Sequence, residues 1–235
     1  MIKIESLTVQ FGGVRPLDGL DGEFNAPICG LIGPNGAGKT TLLNVLSGFV
    51  SPVKGSVSLD GVPLRSLSPV GRVSIGLRRT FQQEQVVGEL SARDNIQAIA
   101  DHISGSRHAA REEIDRAMDF VGLTGRANVP GRLLNLYERR MIEIGKTLIG
   151  KPKAILLDEP GAGLNETETE GLRALLLRIP DTFGAQLILI DHDADLIASV
   201  CIETMVLDFG KLLAFGPTRA VLDDPVVRRA YLGTA

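Results

Sequence analysis

The chain of 235 residues, 44% hydrophobic and 23% charged, is long enough for one domain with a full core, or two small ones, and has the composition of an ordinary soluble globular protein. Lys plus Arg number 25 against 28 Asp plus Glu, a net charge of −3. That balance excludes a general nucleic-acid coat, because no surplus of cations exists to displace phosphate counterions.

In chain order, "MIKIESLTVQF" alternates apolar with polar residues, which reads as a half-exposed antiparallel strand and not as a signal peptide. "APICGLIG" is a short solid apolar run, the pattern of a strand buried on both faces of a parallel sheet. "GSVSLDG" alternates again and ends in glycine, which reads as a second half-exposed antiparallel strand. From Ser91 to Ile149 the pattern turns helical, with "SARDNIQAIADHI" and "REEIDRAMDFVGL" as amphipathic helices. "SARD" gives the first a capping-box start, with Asp for the usual Glu or Gln. "AILLD" and "QLILID" are two further buried strands, separated by "NETETEGLRALLLRI", a helix with acids in its first turn. The alternation predicts one α/β domain with a helical insertion. Cys29 and Cys201 lie in apolar runs without metal-ligand spacing and read as buried thiols of a reducing cytoplasm, a disulfide being the alternative. No apolar run reaches membrane-spanning length, so the expectation is a soluble intracellular chain unless a partner holds it at a membrane.

The strongest chemical signal is "GPNGAGKT", Gly33 to Thr40, between the run "ICGLI" and the helical "TLLNVLSGF". It fits G-x-x-x-x-G-K-[ST] in the strand–loop–helix setting that the chemistry needs. Its glycines let backbone N–H groups turn toward phosphates, and the following helix aims its positive end at them. Lys39 supplies charge for the β- and γ-phosphates and Thr40 a hydroxyl for Mg²⁺. The competing reading is a glycine-rich turn with an incidental lysine. "AILLDEP" ends a buried strand in Asp158 and Glu159, two carboxylates at the sheet edge where α/β ligands sit. Asp158 can hold Mg²⁺ through water, and Glu159 can orient or deprotonate an attacking water. Acids often begin loops, so this pair gains its meaning from the phosphate loop. "LILIDHD" brings His192 to the same edge, where a γ-phosphate contact competes with a plain surface histidine.

On these residues the chain resembles the nucleotide-binding subunit of an ABC transporter over essentially all of its length. The resemblance implies a P-loop NTPase fold of the ABC type, a single domain over 1–235 with an antiparallel β subdomain and a helical subdomain at about 85–149. It implies ATP and Mg²⁺ as ligands and ATP hydrolysis as the activity. Gly33, Pro34, Asn35, Gly36, Ala37, Gly38, Lys39, Thr40 and Thr41 would bind nucleotide, and Thr40, Gln82 and Asp158 the metal. Phe11 in "VQFGG" matches the aromatic that stacks on adenine, with strand core as the alternative. Gln82 in "RRTFQQ" matches the glutamine that reaches Mg²⁺ and the attacking water, so Glu159, His192 and Gln82 form the expected catalytic set. "GAGLN" matches the loop that crosses to an opposing subunit, with Asn165 where most families have Asp.

"GLRRTFQ", "EPGAGLNETET" and "DDPVVRRAYLGTA" resemble one branch, the ATPases of branched-chain amino-acid uptake systems and their urea and amide relatives. That branch implies a second ATPase subunit, identical or different, a membrane permease, indirectly a solute-binding protein, and a position on the inner face of the cell membrane. No nucleic acid is implied. Where the family carries L-S-G-G-Q, counting back from "IEIGKTLIGKP" places Leu134, Asn135, Leu136, Tyr137 and Glu138. Leu136 and Tyr137 would add bulk, and Glu138 negative charge, beside ATP held by the partner. This favours a second reading, a nucleotide-dependent switch that hydrolyses weakly, whereas the intact Glu159 and His192 favour an energy-coupling ATPase. A shifted register, with the loop making some other contact, is the alternative for the segment itself. Arg78/Arg79 and Arg228/Arg229 read as solvated surface, partner contact being the alternative.

Overall fold

The computed structural model describes residues 1–103 and 107–232. The chain opens with a long antiparallel hairpin, β1 (Ile2–Phe11) and β2 (Val14–Phe24), then enters the buried strand β3 (Ile28–Ile32) and helix α1 (Lys39–Ser47). Next come β4 (Lys54–Leu59), β5 (Val62–Pro63), helix α2 (Pro69–Ser74) and the short strand β6 (Leu77–Arg79). Three helices follow: α3 (Ala92–Ile103), α4 (Arg107–Phe120) and α5 (Leu136–Thr147). The remainder runs β7 (Ala154–Asp158), α6 (Glu166–Phe183), β8 (Gln186–Ile190), α7 (Ala194–Val200), β9 (Glu203–Asp208) and β10 (Lys211–Pro217). It closes with α8 (Thr218–Asp223), a single turn α9 (Pro225–Val227) and a wide turn over Arg228–Leu232.

Two sheets result. One is antiparallel, in the order β2-β1-β4-β5, and the other runs β10-β9-β3-β8-β7-β6. Within the second, β9, β3, β8, β7 and β6 are parallel and only β10 joins antiparallel. Its central strands carry apolar side chains on both faces because both faces are covered. Ile155, Leu157, Leu187, Leu189 and Val206 point into a core shared with α3–α6. Their neighbours Leu156, Ile188, Ile190, Met205 and Leu207 point into a second core with α1 and the antiparallel sheet.

Local signals explain several boundaries. Ser91 caps α3 through Asp94, whose N–H donates to Ser91 Oγ at 3.1 Å while that hydroxyl donates to the Asp94 carboxylate at 2.6 Å. Asn135 and Asn165 each open a full capping box, with Glu138 and Glu168 reaching back to the cap's N–H. α6 continues past the stretch read as helical, through Pro180 to Phe183. Its last turn is closed by Gly184 N–H donating to Pro180 O at 2.8 Å. α4 begins at Arg107, four residues before "REEIDRAMDFVGL", and stops at Phe120. Cys29 and Cys201 are buried free thiols in different cores, so no disulfide joins them. Burial pushes the Cys201 thiol up to about 12.

Candidate active site

Adjacent parallel strands β3, β8, β7 and β6 all point their carboxyl ends to one edge, so the loops that follow them stand side by side. After β3 comes the phosphate loop. Gly33 and Gly38 adopt φ of +147° and +106°, and both are pressed against backbone. A Cβ on Gly33 would lie 2.1 Å from Leu207 O, and one on Gly38 2.3 Å from Pro16 O. Glycine is therefore required twice over, by conformation and by space. The loop is tied down by Ala37 N–H to Pro34 O at 3.1 Å and by Gly210 N–H to Ala37 O at 3.0 Å.

The helix that follows differs from α5 and α6. No side chain caps α1 at Gly38, and no acid lies in its first turn. Its N-terminal N–H groups suit an external anion. Lys39, 7% exposed, turns its ammonium into the loop and donates to Gly33 O at 2.6 Å and Pro34 O at 3.0 Å. Burial lowers its pKa, while the carboxylates of Glu159 and Asp158 act to raise it. Thr40 is exposed, Thr41 half-buried, and Asn35 and Gly36 lie open on the outer side of the loop. This cradle fits a triphosphate.

After β7 the two acids part ways. Asp158 is 3% exposed, its N–H donates to Thr80 Oγ1 at 3.1 Å, and its carboxylate meets Arg79 at 3.2 Å. Burial still leaves its pKa raised, although Arg79 pulls it down. Glu159 takes a left-handed backbone, φ +55°, which is uncommon for a residue with a Cβ and typical of strained functional positions. Its N–H donates to Ile190 O at 2.8 Å, which fastens it to the end of β8. That turn aims its carboxylate at two partners: His192 Nε2 lies 3.0 Å from Oε1, and Gln82 Nε2 donates to Oε2 at 3.3 Å. Two residues from two other loops thus converge on the Glu159 carboxylate.

Phe11 stands apart from this group, 54% exposed at the tip of the first hairpin, so it is not strand core. The same hairpin touches the phosphate loop through Pro16 and Gly38. Among the described residues no group of three or more His, Cys, Asp or Glu side chains could hold a metal. The oxygen donors of Thr40 and Asp158 beside a triphosphate cradle suit Mg²⁺, a hard cation that binds few protein ligands and completes its shell with water and phosphate.

Arg78 and Arg79 depart from expectation, since neither is solvated. Arg78 donates to Ile149 O through Nε at 3.3 Å and through an Nη at 3.1 Å. Arg79 reaches Asp158, Asn44 Oδ1 at 2.7 Å and Ser47 Oγ at 3.3 Å, and stacks on Phe81. It therefore joins α1 to the end of β7. Sequence reasoning overlooked it because an Arg pair normally marks surface; its place just ahead of "TFQ" was the available signal. Arg228 and Arg229 are exposed, as expected.

The Leu134–Glu138 segment opens α5, with Asn135 as its cap. Asn135 Oδ1 accepts from Glu138 N–H at 2.8 Å, and Glu138 Oε2 accepts from Asn135 N–H at 2.9 Å. Glu138 also pairs with Arg126 at 2.8 Å, so its charge is not free. The bulk turns inward as well. A Cβ on Gly163 would sit 3.0 Å from Leu136, and one on Gly171 2.7 Å from the Tyr137 hydroxyl. Leu136 and Tyr137 are half-buried against their own chain.

A phosphate cradle, a buried acid, and a strained carboxylate met by histidine and glutamine along one edge of a parallel sheet define an ATP-hydrolysing P-loop cassette. The sequence matches the ABC transporter family over residues 21–162. It is 33% identical to the high-affinity branched-chain amino acid transport ATP-binding protein BraF of Pseudomonas aeruginosa, across 100% of this chain and 98% of that one. It is also 32% identical to the lipopolysaccharide export system ATP-binding protein LptB of Acidithiobacillus ferridurans, across 88% of this chain and 85% of that one. Its fold superimposes on the ADP conformation of an ATP-binding cassette of an ABC transporter with TM-score 0.88 at 26% identity, over 100% of this chain and 99% of that one. The chain belongs to the ABC transporter family. It is the ATP-binding, ATP-hydrolysing subunit of a transporter.

Proposed function

We propose that this subunit energises an importer of branched-chain amino acids or related small solutes. The convergence of Glu159, His192 and Gln82 carries the hydrolytic part of that reading, and likeness to BraF along the whole chain carries the solute class. ATP lies with its phosphates on the loop from Gly33 to Thr41 and its base against Phe11. Lys39 balances the β- and γ-phosphate charge. Thr40, Gln82 and Asp158 would hold Mg²⁺, which when bound neutralises charge building on the phosphates. Glu159 orients the attacking water and takes its proton as the oxygen bonds to the γ-phosphorus and ADP leaves. His192 holds the Glu159 carboxylate in place and contacts the γ-phosphate, while Gln82 steers the water.

The chain would work on the cytoplasmic face of the membrane, paired with a second ATPase subunit of the same or a different kind and docked on a permease. No helix among the described residues is long and apolar enough to cross a membrane by itself, so contact with the bilayer would come through that permease. A groove of about 680 Å³ between β6 and the helices, lined by Arg78, Phe81, Gln85, His102, Glu143 and Lys146, suits a permease segment. Lys146 donates to Gln85 O at 2.6 Å and Gln85 N–H to Glu143 at 3.1 Å, so the groove also ties the glutamine loop to α5.

The alternative is a nucleotide-dependent switch with weak hydrolysis, favoured by the absence of paired glycines at Leu136 and Tyr137. Turnover decides between them. In the assembled complex, Glu159→Gln should keep ATP bound and nearly abolish hydrolysis at the site built on this chain's phosphate loop, and His192→Ala should slow it. Hydrolysis at the parent rate in Glu159→Gln would remove the role given to that carboxylate. Uptake of labelled leucine that is unaffected by Glu159→Gln would remove the solute class.

A further inference from the structure

The segment after β10 returns to the active edge. The wide turn over Arg228–Leu232 delivers Tyr231, half-buried against the core of α5–α7, so that its hydroxyl donates to Asp191 O at 3.2 Å. Asp191 immediately precedes His192. Its side chain is buried and points the other way along the edge, with Oδ2 accepting from Gly161 N–H at 2.9 Å and Oδ1 from Asp193 N–H at 3.0 Å. Gly161 begins the loop that follows Glu159. The approach is close enough that a Cβ on Gly161 would lie 2.9 Å from Asp191 Oδ2.

Among the described residues no cation pairs with the buried Asp191 carboxylate, which makes its burial costly and its hydrogen bonds correspondingly specific in geometry. Here those bonds run to the backbone on both sides of the catalytic pair: Gly161 lies two residues past Glu159, and Asp193 one past His192. On the opposite side of the same peptide, Tyr231 fixes the carbonyl from which the His192 peptide leaves. Burial together with the nearby Asp191, Asp193 and Glu159 charges pushes the Tyr231 hydroxyl up to about 12, so it remains a donor at neutral pH. Asp191 also accepts from the His192 backbone N–H, but neither side chain hydrogen-bonds the Glu159 carboxylate or the His192 imidazole. Their bonds lie between the two loops that carry these residues, whose side chains meet in the 3.0 Å His192–Glu159 pair.

We infer that Tyr231 and Asp191 are positioning residues for ATP hydrolysis: they clasp the His192 loop to the Gly161 loop and so set the His192–Glu159 contact. This rests on the role proposed for His192. Its content is that hydrolysis depends on a segment outside the P-loop core, acting through the backbone of one histidine.

The test is a double-mutant cycle on the assembled ATPase, read as kcat and KM for ATP alongside the melting temperature. Tyr231→Phe removes one oxygen and leaves the ring in its packing. We expect a fall in kcat of about three- to tenfold, the scale of one neutral hydrogen bond, with KM unchanged. In a His192→Ala background the same substitution should change kcat less than twofold. Asp191→Asn, which sets an amide against N–H donors, should show the same kcat-only loss and the same dependence on His192. A parent kcat in Tyr231→Phe, with His192→Ala slow, overturns the clasp and leaves the His192 role standing. Equal losses from Tyr231→Phe with and without His192 overturn it too, because they indicate general support of the fold. If His192→Ala is itself without effect, the role proposed for His192 fails and the clasp fails with it. Should Tyr231→Phe lower the melting temperature strongly, the Asp191→Asn cycle decides by the same criteria.

Discussion

Removing Arg79 strands Asp158, and the size of the resulting loss can be worked from the geometry. The Arg79 and Asp158 side chains are 7% and 3% exposed, so water cannot replace the missing cation. Breaking a buried pair by removing one partner costs about 3–5 kcal/mol, most of it the desolvation of the charge left behind. Arg79→Met keeps the length of the stem and its apolar contact with Phe81, but it also gives up the bonds to Asn44 and Ser47. We therefore expect the upper part of that range. For a chain of this size each kcal/mol moves the melting temperature by about 2–4 °C, which makes a fall on the order of 10 °C or more. Urea denaturation of the nucleotide-free subunit should show a lower midpoint with little change in slope. The double variant Arg79→Met/Asp158→Leu is the informative control. An apolar pair in place of a buried ion pair is often neutral or stabilising, so the double variant should recover most of the loss although it cannot hydrolyse ATP. A single-variant cost under about 1 kcal/mol, or a double variant less stable than either single, would refute the view of Arg79 as a counter-charge fixed by Asp158.

Two further outcomes are expected of the nucleotide site. Lys39→Ala should weaken ATP binding substantially in titration calorimetry, and equal affinity would count against the phosphate-loop assignment. Replacing Asn135, Leu136, Tyr137 and Glu138 by Ser, Gly, Gly and Gln should raise hydrolysis at the site built on the partner's phosphate loop, measured with this chain's own site silenced by Glu159→Gln. A restored phosphate donor can be worth roughly 3 kcal/mol, about a hundredfold in rate, offset in part by the glycines' cost at a helix terminus and by the lost packing on Gly163 and Gly171. No rise in a folded, dimeric complex would show that this segment does not limit the partner site.

Much of the edge that carries the chemistry was legible because its strands are buried on both faces. "ICGLI", "AILLD" and "QLILI" cannot be anything half-exposed, and each ends in the loop that holds a functional residue. "GSVSLDG" was legible as a strand, and its closing Asp60–Gly61 takes the common pattern for a turn with two successive positive-φ residues. The equivalent turn between β9 and β10 is Phe209–Gly210, with φ of 43° and 78°. An aromatic in that place hides the hairpin, and neither strand was read from the sequence. β2 was hidden by Pro16, Gly19 and Gly22, since its register against β1 shifts repeatedly. β6 escaped because three residues, two of them arginine, look like surface. Arg79, Asp191 and Tyr231 act across 79, 30 and 40 residues of sequence, and no local pattern reports such a distance. The inward turn of Leu136 and Tyr137 was equally out of reach, because it depends on glycines of α6 and the loop before it.

The two cores on opposite faces of the parallel sheet mean that neighbouring residues answer to different halves of the molecule. Leu156 packs toward α1 and the hairpin that braces the phosphate loop, whereas Leu157 packs toward α3–α6. Trimming one or the other to alanine would leave cavities one peptide apart, the first beside the phosphate loop's supports and the second among the helices proposed to meet the permease. The sheet is a partition as well as a scaffold. On the proposed function it would separate fuel handling from mechanical output, and the strand ends on its carboxyl edge would be where the two are joined.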